Sequence, residues 1–185
     1  MPVRPRVEID IRLATASDVT AAIDVLSEAS AWLRSIGIAQ WPERFADSFV
    51  AATAERGELY VAVEGPEVVG TMTMLWSDAM FWGDRRDAGF VHRLAVMRSH
   101  AGVGRRLIDW ADEQAEQHRR SYLCLDTLSS NRKLREYYEE LGFELVGEVD
   151  GPREHPHTAA HGRWQASLYE RLVGQHRQAG LKRET

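Results

Sequence analysis

The fold is decided by a segment that reads FVHRLAV at residues 90–96, MRSHA at 97–101 and GVGRRLIDW at 102–110. The first seven residues are mostly β-branched, aromatic or apolar, which is typical of a strand buried inside a sheet. From Leu107 onward the apolar residues recur at helical spacing. Gly102 and Gly104 lie in the turn between them and remove the β-carbons that would hold a ligand away. The segment therefore predicts a strand, a tight turn and a helix.

This turn has two interpretations. The N-terminus of a helix presents unpaired backbone N–H groups and the positive end of the helix dipole, which suits a pyrophosphate. A turn with two glycines can equally be only a tight turn. The dinucleotide fingerprint needs a third glycine and an early strand, and the P-loop needs Gly-Lys-Ser/Thr, and neither pattern is present. The turn alone leaves both interpretations open.

Length and composition are those of a globular protein. The chain of 185 residues predicts one domain over residues 1–173 and a polar tail over 174–185. No apolar run approaches the ~18 residues of a membrane span, and the N-terminus lacks the apolar core of a secretory signal. The single cysteine, Cys124, excludes an internal disulfide, so we expect a cytoplasmic protein.

Charge and histidine spacing exclude other classes. The net charge of −5 and the isoelectric point near 5.8 argue against nucleic-acid binding and are compatible with a cationic partner. The nearest approach to a metal-binding pattern is His155, His157 and His161 in a turn-rich segment. We therefore expect no metal, no nucleic acid and no membrane as partners.

Periodicity along the rest of the chain predicts a mixed α/β (α+β) sheet with helices on both faces, in the order β-α-α-β-β-β-α-β-α-β-β. Pro42 is expected to open the second helix, which continues to Gly57. Ser130 or Asn131 is expected to cap the last helix, which ends at Gly142.

Three segments together resemble the GCN5-related N-acetyltransferase (GNAT) family. Residues 91–107 match its strand, pyrophosphate loop and helix, and residues 123–127 with Asn131 match the next strand and the asparagine that opens the following helix. The run YYEELGF at 137–143 matches the Tyr-Glu-x-Leu-Gly-Phe ending of the family. The element order fits from about residue 9 to 172. The resemblance implies the GNAT-type fold, with a mostly antiparallel sheet of six to seven strands.

The resemblance also implies that acetyl-CoA is the cosubstrate. It would bind in the gap where the central strand separates from the strand that contains Leu123. The pantetheine arm would pair with the backbone of Leu94, Ala95 and Val96. Asn131 is either a plain helix cap or a cap that also contacts the pantetheine. The pyrophosphate would lie on the loop amides, which belong to Ala101, Gly102, Val103, Gly104, Arg105 and Arg106.

The loop departs from the family pattern Gln/Arg-x-x-Gly-x-Gly/Ala. When Gly102 and Gly104 are placed on its glycines, Ser99 stands at the Gln/Arg position, and the loop is about two residues shorter than usual. Backbone amides rather than side chains bind the pyrophosphate in this family. We therefore expect the pyrophosphate site to be present despite the departure. The missing charge could come from Arg98, Arg105 or Arg106.

Two side chains are predicted to act in catalysis. Tyr138 occupies the tyrosine position of the family and would donate a proton to the leaving thiolate, whereas Tyr137 is expected to pack in the core. His92 would accept the proton of the amine, since its reference pKa of about 6.5 suits a base. Alternatively His92 packs in the core or binds the substrate, and Asp126 or a glutamate across the cleft is the base. The Val96 amide would stabilise the oxyanion if the strand bulges there.

The resemblance implies that the acceptor enters between the first two helices and the strand hairpin, opposite the cofactor. Aromatic faces beside acids could hold a cationic or aromatic amine, and each of these residues could equally belong to the core or to a solvated loop. They are Trp32, Trp41, Phe45, Trp76, Phe81 and Trp82, with Asp78, Asp84 and Asp87.

The predicted function is acetyl-CoA-dependent transfer of an acetyl group to a primary amine of a small molecule, by direct attack in a ternary complex. The alternatives are acetylation of a protein N-terminus or lysine, and a non-catalytic acyl-CoA-binding regulatory domain. Members of the family are often dimers, so the resemblance also implies a possible homodimer.

Overall fold

The computed structural model describes residues 8–151 and 162–175. Its strands are β1 Ile9–Leu13, β2 Leu59–Glu64, β3 Glu67–Leu75, β4 Ala88–Val96, β5 Tyr122–Leu128, β6 Glu144–Asp150 and β7 Gln165–Leu172. Its α-helices are α1 Val19–Ser35, α2 Asp47–Glu55, α3 Val103–Gln117 and α4 Arg132–Glu140. The order of elements is the predicted one, with an added 3₁₀ turn at Ala16–Asp18. None of the described helices has the length and apolar character needed to cross a membrane.

All the described strands belong to one sheet in the order β1-β2-β3-β4-β5-β7-β6. Neighbouring strands run antiparallel, with β4 and β5 as the parallel pair within the described sheet. The prediction of a mixed, mostly antiparallel sheet of six to seven strands is confirmed.

A hydrophobic core lies on each face of the sheet. On one face Ile23 of α1 and Val50 of α2 pack with Val61 of β2. On the other face Leu107 of α3 packs with Leu123 of β5, and both side chains are fully buried. The apolar stripe of α3 recurs at helical spacing, so one side of the helix lies on the sheet.

The sheet opens between β4 and β5. These strands pair only over Ala88–Val91 and Tyr122–Leu125. Beyond Val91 and Leu125 no described strand fills the space between them. The second half of β4 therefore presents one edge to a gap at the centre of the sheet.

A bulge lies in β4 at this gap. His92 pairs with Thr73 and Ala95 pairs with Thr71, so two residues, Arg93 and Leu94, stand opposite a single residue of β3. Arg93 has a φ of 49°, which is uncommon for a residue with a side chain. The resemblance predicts a bulge near Val96, and the structure places it two to three residues earlier.

The start of the second helix is corrected by the structure. Helix α2 begins at Asp47, whereas Pro42 lies in an irregular segment. The carbonyl of Pro42 accepts a hydrogen bond from Ser30 Oγ at 2.7 Å, and the carbonyl of Trp41 accepts one from Arg34. Because α1 holds both carbonyls in this way, they are not available to begin a helix.

A buried ion pair fixes helix α4 to the rest of the fold. Arg171 of β7 contacts Asp112 of α3 at 3.1 Å, and both side chains are almost completely buried. The same guanidinium donates a hydrogen bond of 2.8 Å to the carbonyl of Leu141, at the end of α4. This connection holds the helix that carries Tyr138 against β7 and α3.

Candidate active site

A cavity of about 1170 Å³ occupies the gap between β4 and β5. One side is formed by the turn after β4 and by α4, including Gly102, Gly104 and Tyr138. The opposite side is formed by α1, α2 and the loop after β3, and it contains His92 and Asp126. Residues from both predicted groups, those for the cofactor and those for the amine, therefore line one continuous space.

The turn at the start of α3 offers free backbone donors. Gly102 has a φ of 92°, in the left-handed region that favours glycine, and α3 begins at the next residue. Within residues 8–151 and 162–175, no acceptor bonds the amides of these four residues: Ala101, Gly102, Gly104 and Arg105. Val103 and Arg106 have acceptors already, the carbonyls of His100 and Gly102, each at 3.3 Å. The free amides are thus fewer than the six that the sequence predicts.

Gly104 is in close contact with α4. A β-carbon at this position would lie 3.1 Å from the Tyr137 hydroxyl oxygen and 3.7 Å from Val96 Cγ2. Any longer side chain would enter the space between the turn and α4. Glycine therefore keeps this part of the cavity open.

The charged side chains near the turn differ in position. Arg98 lines the cavity, with its guanidinium 5.1 Å from the centre of the Trp32 ring. Arg105 lies beside Asp109 on α3, and Arg106 donates to the carbonyl of Ile9, away from the cavity. Of the three predicted sources of charge, Arg98 is the one whose side chain the structure brings to the cavity.

Asn131 is nearly fully buried at the start of α4 and lines the cavity. Its Oδ1 accepts a hydrogen bond from the Leu134 amide at 3.3 Å, and its Nδ2 donates to Gln40 Oε1 at 2.9 Å. The predicted helix cap is confirmed. The contact of Asn131 with pantetheine stays a prediction.

The Tyr138 ring is buried and lines the cavity from α4. Its edge-to-face contact with Phe143, at 5.9 Å between ring centres, holds it in place. Burial raises the pKa of the Tyr138 hydroxyl, and the neighbouring Tyr137 and Asp126 raise it further. The phenol therefore keeps its proton at neutral pH. Tyr137, predicted as a core residue, packs against the core and also lines the cavity.

His92 lies between two carboxylates on the acceptor side. Its Nδ1 is 3.0 Å from Asp126 Oδ1 and its Nε2 is 3.3 Å from Asp78 Oδ2, and the three side chains are 6% to 18% exposed. Burial alone would lower the pKa of His92, but the Asp126 and Asp78 carboxylates outweigh it and raise the pKa to about 9. The imidazole therefore carries a proton at neutral pH.

Asp78 reaches this position from the loop after β3. Its Oδ1 accepts hydrogen bonds from the amides of Met80 and Phe81, at 3.0 and 3.4 Å. Burial would raise the pKa of Asp78, but His92 and these amides outweigh it and lower the pKa below its usual range. The loop backbone thus fixes a buried carboxylate against the imidazole.

The cluster of Asp78, His92 and Asp126 has unused hydrogen-bonding capacity. Among the described residues, Asp78 Oδ2, His92 Nε2 and Asp126 Oδ1 are buried without an aligned hydrogen-bond partner. Their ligand atoms lie within 4.8 Å of one another, close enough for one cation to contact them all. The histidines at 155, 157 and 161 lie outside the described residues.

The aromatic residues of the acceptor side are only partly those predicted. Four of them line the cavity: Trp32, Trp41, Phe45 and Phe81. Trp76 stacks on His118 of α3 at 3.9 Å, and Trp82 packs against Phe90, so both lie elsewhere. Asp84 and Asp87 are not part of the lining. The sequence missed these lining residues: Phe49, Met80, Arg93 and Trp164.

Comparison with known proteins identifies the family and the fold of the chain. The model of the acetyltransferase (GNAT) family matches residues 26–143. A GNAT-family acetyltransferase from Listeria monocytogenes is 21% identical with a TM-score of 0.66, over 89% of this chain and 95% of that one. For yncA from Salmonella typhimurium, solved with its cofactor acetyl-CoA, the identity is 18% and the TM-score 0.65, over 91% and 95%. Comparison with curated proteins gave no match.

A third similar structure is the ribosomal-protein-S18-alanine N-acetyltransferase from Escherichia coli, at 19% identity and a TM-score of 0.64, over 90% of this chain and 94% of that one. These structural likenesses show a shared fold. The family model covers more than half of the chain, so it shows membership as well. The chain belongs to the GNAT family and is an acetyl-CoA-dependent N-acetyltransferase.

Proposed function

We propose that the enzyme transfers an acetyl group to a primary amine of a small molecule, by direct attack within a ternary complex. The observation that carries the proposal is the buried cluster of Asp78, His92 and Asp126, which faces the same cavity as Tyr138 and the glycine turn. Carboxylates beside an imidazole suit the binding of an ammonium group and the removal of its proton.

The cofactor side fits acetyl-CoA by its donors. The free amides of the turn at 101–105 and the positive end of the α3 dipole would bind the pyrophosphate. The unpaired edge of β4 at Leu94, Ala95 and Val96 would bind the pantetheine. When bound, acetyl-CoA supplies an acetyl thioester that is open to attack by a neutral amine.

The amine must lose a proton before it attacks. An alkylammonium has a pKa near 10.4, so few molecules are neutral at pH 7. In this proposal Asp78 and Asp126 attract the ammonium, and His92 in its neutral form accepts the proton. The pKa of His92, about 9, lies close to that of the ammonium group, so His92 can accept its proton. At pH 7, however, His92 is neutral in only a small fraction of the enzyme molecules.

The remaining steps fall to other groups. Tyr138 would donate its proton to the leaving thiolate, and a backbone amide at the β4 bulge, two to three residues before Val96, would stabilise the oxyanion. Direct attack is favoured because Cys124, the single cysteine, is buried in a separate cluster with Phe90 and does not line the cavity. Burial raises the pKa of its thiol to about 12, so it is a poor nucleophile.

The test of this function is CoA release with a panel of acceptors. Small primary amines, peptides with a free N-terminus and lysine peptides are each incubated with acetyl-CoA, and the free thiol is measured. We expect turnover with small amines. Turnover confined to peptides would favour a protein acceptor, and binding of acetyl-CoA without any turnover would favour a regulatory acyl-CoA-binding domain.

The pH profile of a His92→Gln variant tests the base. His92 must lose its proton to act, so we expect kcat of the wild type to rise with pH through an apparent pKa near 9. The variant should lose about 100-fold in kcat and show no such ionisation. The same acceptor is used for both enzymes, so that its own ionisation cancels.

The matched control is His118→Gln, because His118 stacks on Trp76 outside the cavity. It should keep the wild-type profile. If His92→Gln retained the same ionisation and rate, the base would be another group, with Asp126 as the first candidate.

The setting of the enzyme is also proposed. The described strands from β1 to β7 form one sheet, which supports one catalytic domain over residues 1–173 with a tail at 174–185. The free cysteine supports a cytoplasmic enzyme. Exposed Leu145 and Val146 on edge strand β6 support a homodimer, which sedimentation analysis would detect.

A further inference from the structure

Arg93 is a partly buried cation in the acceptor side of the cavity. It is the bulged residue of β4, and its φ of 49° is costly for a residue with a side chain. Its guanidinium lies 5.0 Å from the centre of the Phe49 ring, and its Nε donates a hydrogen bond of 3.3 Å to Thr73 Oγ1. The bulge therefore places an arginine beside the catalytic cluster, where regular alternation along the strand would have turned it to the other face.

No carboxylate among the described residues lies within ion-pair distance of Arg93. The nearest acids are engaged with other groups: Asp78 and Asp126 flank His92, and Glu58 pairs with Arg56 at 2.8 Å. Burial lowers the pKa of Arg93, and the more distant Asp126 and Glu58 only partly oppose this. A partly buried charge without an opposite charge in contact is unfavourable unless a ligand supplies one.

We infer that Arg93 binds an anionic group of the acceptor, so that the acceptor is an amino acid rather than a simple amine. The acceptor cavity then has a negative part at Asp78, His92 and Asp126 for the ammonium, and a positive part at Arg93 for the carboxylate. This pairing fits a zwitterion, since both carboxylates contact His92, and Arg93 is the next residue along β4. The inference rests on the proposed function and specifies its substrate class.

The walls of the cavity indicate the rest of the acceptor. Aromatic and apolar side chains surround the charged floor, among them Trp41, Phe45, Phe49 and Phe81. An arginine fork binds a planar carboxylate through two parallel hydrogen bonds, whereas the rings would contact an apolar side chain. The amino acid is therefore expected to have an apolar or aromatic side chain.

The experiment compares matched acceptors that differ only in the carboxylate: phenylalanine with phenethylamine, tryptophan with tryptamine, and leucine with isoamylamine. Steady-state CoA release gives kcat/KM for each. The wild type should prefer the amino acid in at least one pair. Arg93→Gln should lower kcat/KM for that amino acid by about 10- to 100-fold and leave its amine partner within about threefold. The affinity for acetyl-CoA, measured by calorimetry, should not change.

Two further variants keep the test decisive. Arg132→Gln removes an exposed arginine that does not line the cavity, where Arg132 pairs with Glu136 on α4 at 2.9 Å, and it should have the wild-type preference. Arg93→Lys keeps the positive charge but loses the two parallel donors of the guanidinium, so it should retain part of the preference for the amino acid. This variant also tests the inference if Arg93→Gln does not fold.

The outcomes separate the two levels of the proposal. Turnover of the amines with no preference for a carboxylate, or an equal loss for both members of a pair in Arg93→Gln, would overturn the inference alone. Absence of turnover with every amine and amino acid would overturn the proposed function, and the inference with it.

Discussion

Replacing Tyr138 with phenylalanine is expected to lower kcat by about 100-fold or more while leaving the affinity for acetyl-CoA unchanged. The phenol is buried in the wall of the cavity, and its raised pKa keeps it protonated over the working range of the enzyme. Phenylalanine keeps the ring and its contact with Phe143 but removes the proton. The measurement is steady-state CoA release, with calorimetric titration of CoA as the check on binding.

Tyr137→Phe is the matched control. Tyr137 lies next to Tyr138 on α4 and also lines the cavity, so the variant removes a phenol oxygen from the same wall. We expect a change in kcat of less than about threefold. If Tyr138→Phe had the wild-type kcat, Tyr138 would have no part in the transfer, and the thiolate would leave without a proton from this helix.

Replacing Gly104 with glutamate is expected to weaken acetyl-CoA binding by at least about 100-fold. The new side chain would begin 3.1 Å from the Tyr137 hydroxyl and would extend into the space between the turn and α4. Its carboxylate would stand among the free amides of the turn, where the diphosphate is proposed to bind, and would compete with it by bulk and charge. Calorimetry with CoA measures the loss directly.

Gly104→Ala is the control for this variant. The backbone at Gly104 is helical rather than left-handed, so alanine fits the chain, and the close contact is with the end of a tyrosine side chain. We expect affinity within about tenfold of the wild type. Wild-type affinity in Gly104→Glu would mean that the phosphates bind away from this turn.

Much of the fold could be predicted because local signals and tertiary packing agree. The apolar stripe of α3 and the Asn131 cap of α4 each carry their own pattern, and both elements form where the sequence indicates. The start of α2 could not be predicted in this way. Proline at position 42 favours a helix start, but its carbonyl is bonded to Ser30, which is twelve residues earlier. A contact of that kind leaves no periodic signal.

The sequence predicts those parts of the candidate site that occupy recognisable motif positions. The glycine turn and the tyrosine of α4 follow from motif positions, whereas the partners of His92 do not. Asp78 comes from an irregular loop, and its position depends on hydrogen bonds with Met80 and Phe81. Arg93 faces the cavity because the bulge interrupts the alternation of β4, and no residue type in the sequence marks that interruption.

The short parallel pairing of β4 with β5 has a consequence for how such an enzyme can diverge. Residues of α1, α2, β3 and β4 line the proposed acceptor side of the cavity, whereas Tyr138, the proposed proton donor, stands on α4, which follows β5 in the chain. Within the described sheet, four residue pairs join β4 to β5, and α3 contacts both strands. Under the proposed function, changes at positions such as Trp41 or Phe81 would therefore alter the selectivity for the acceptor while α4 and Tyr138 keep their geometry.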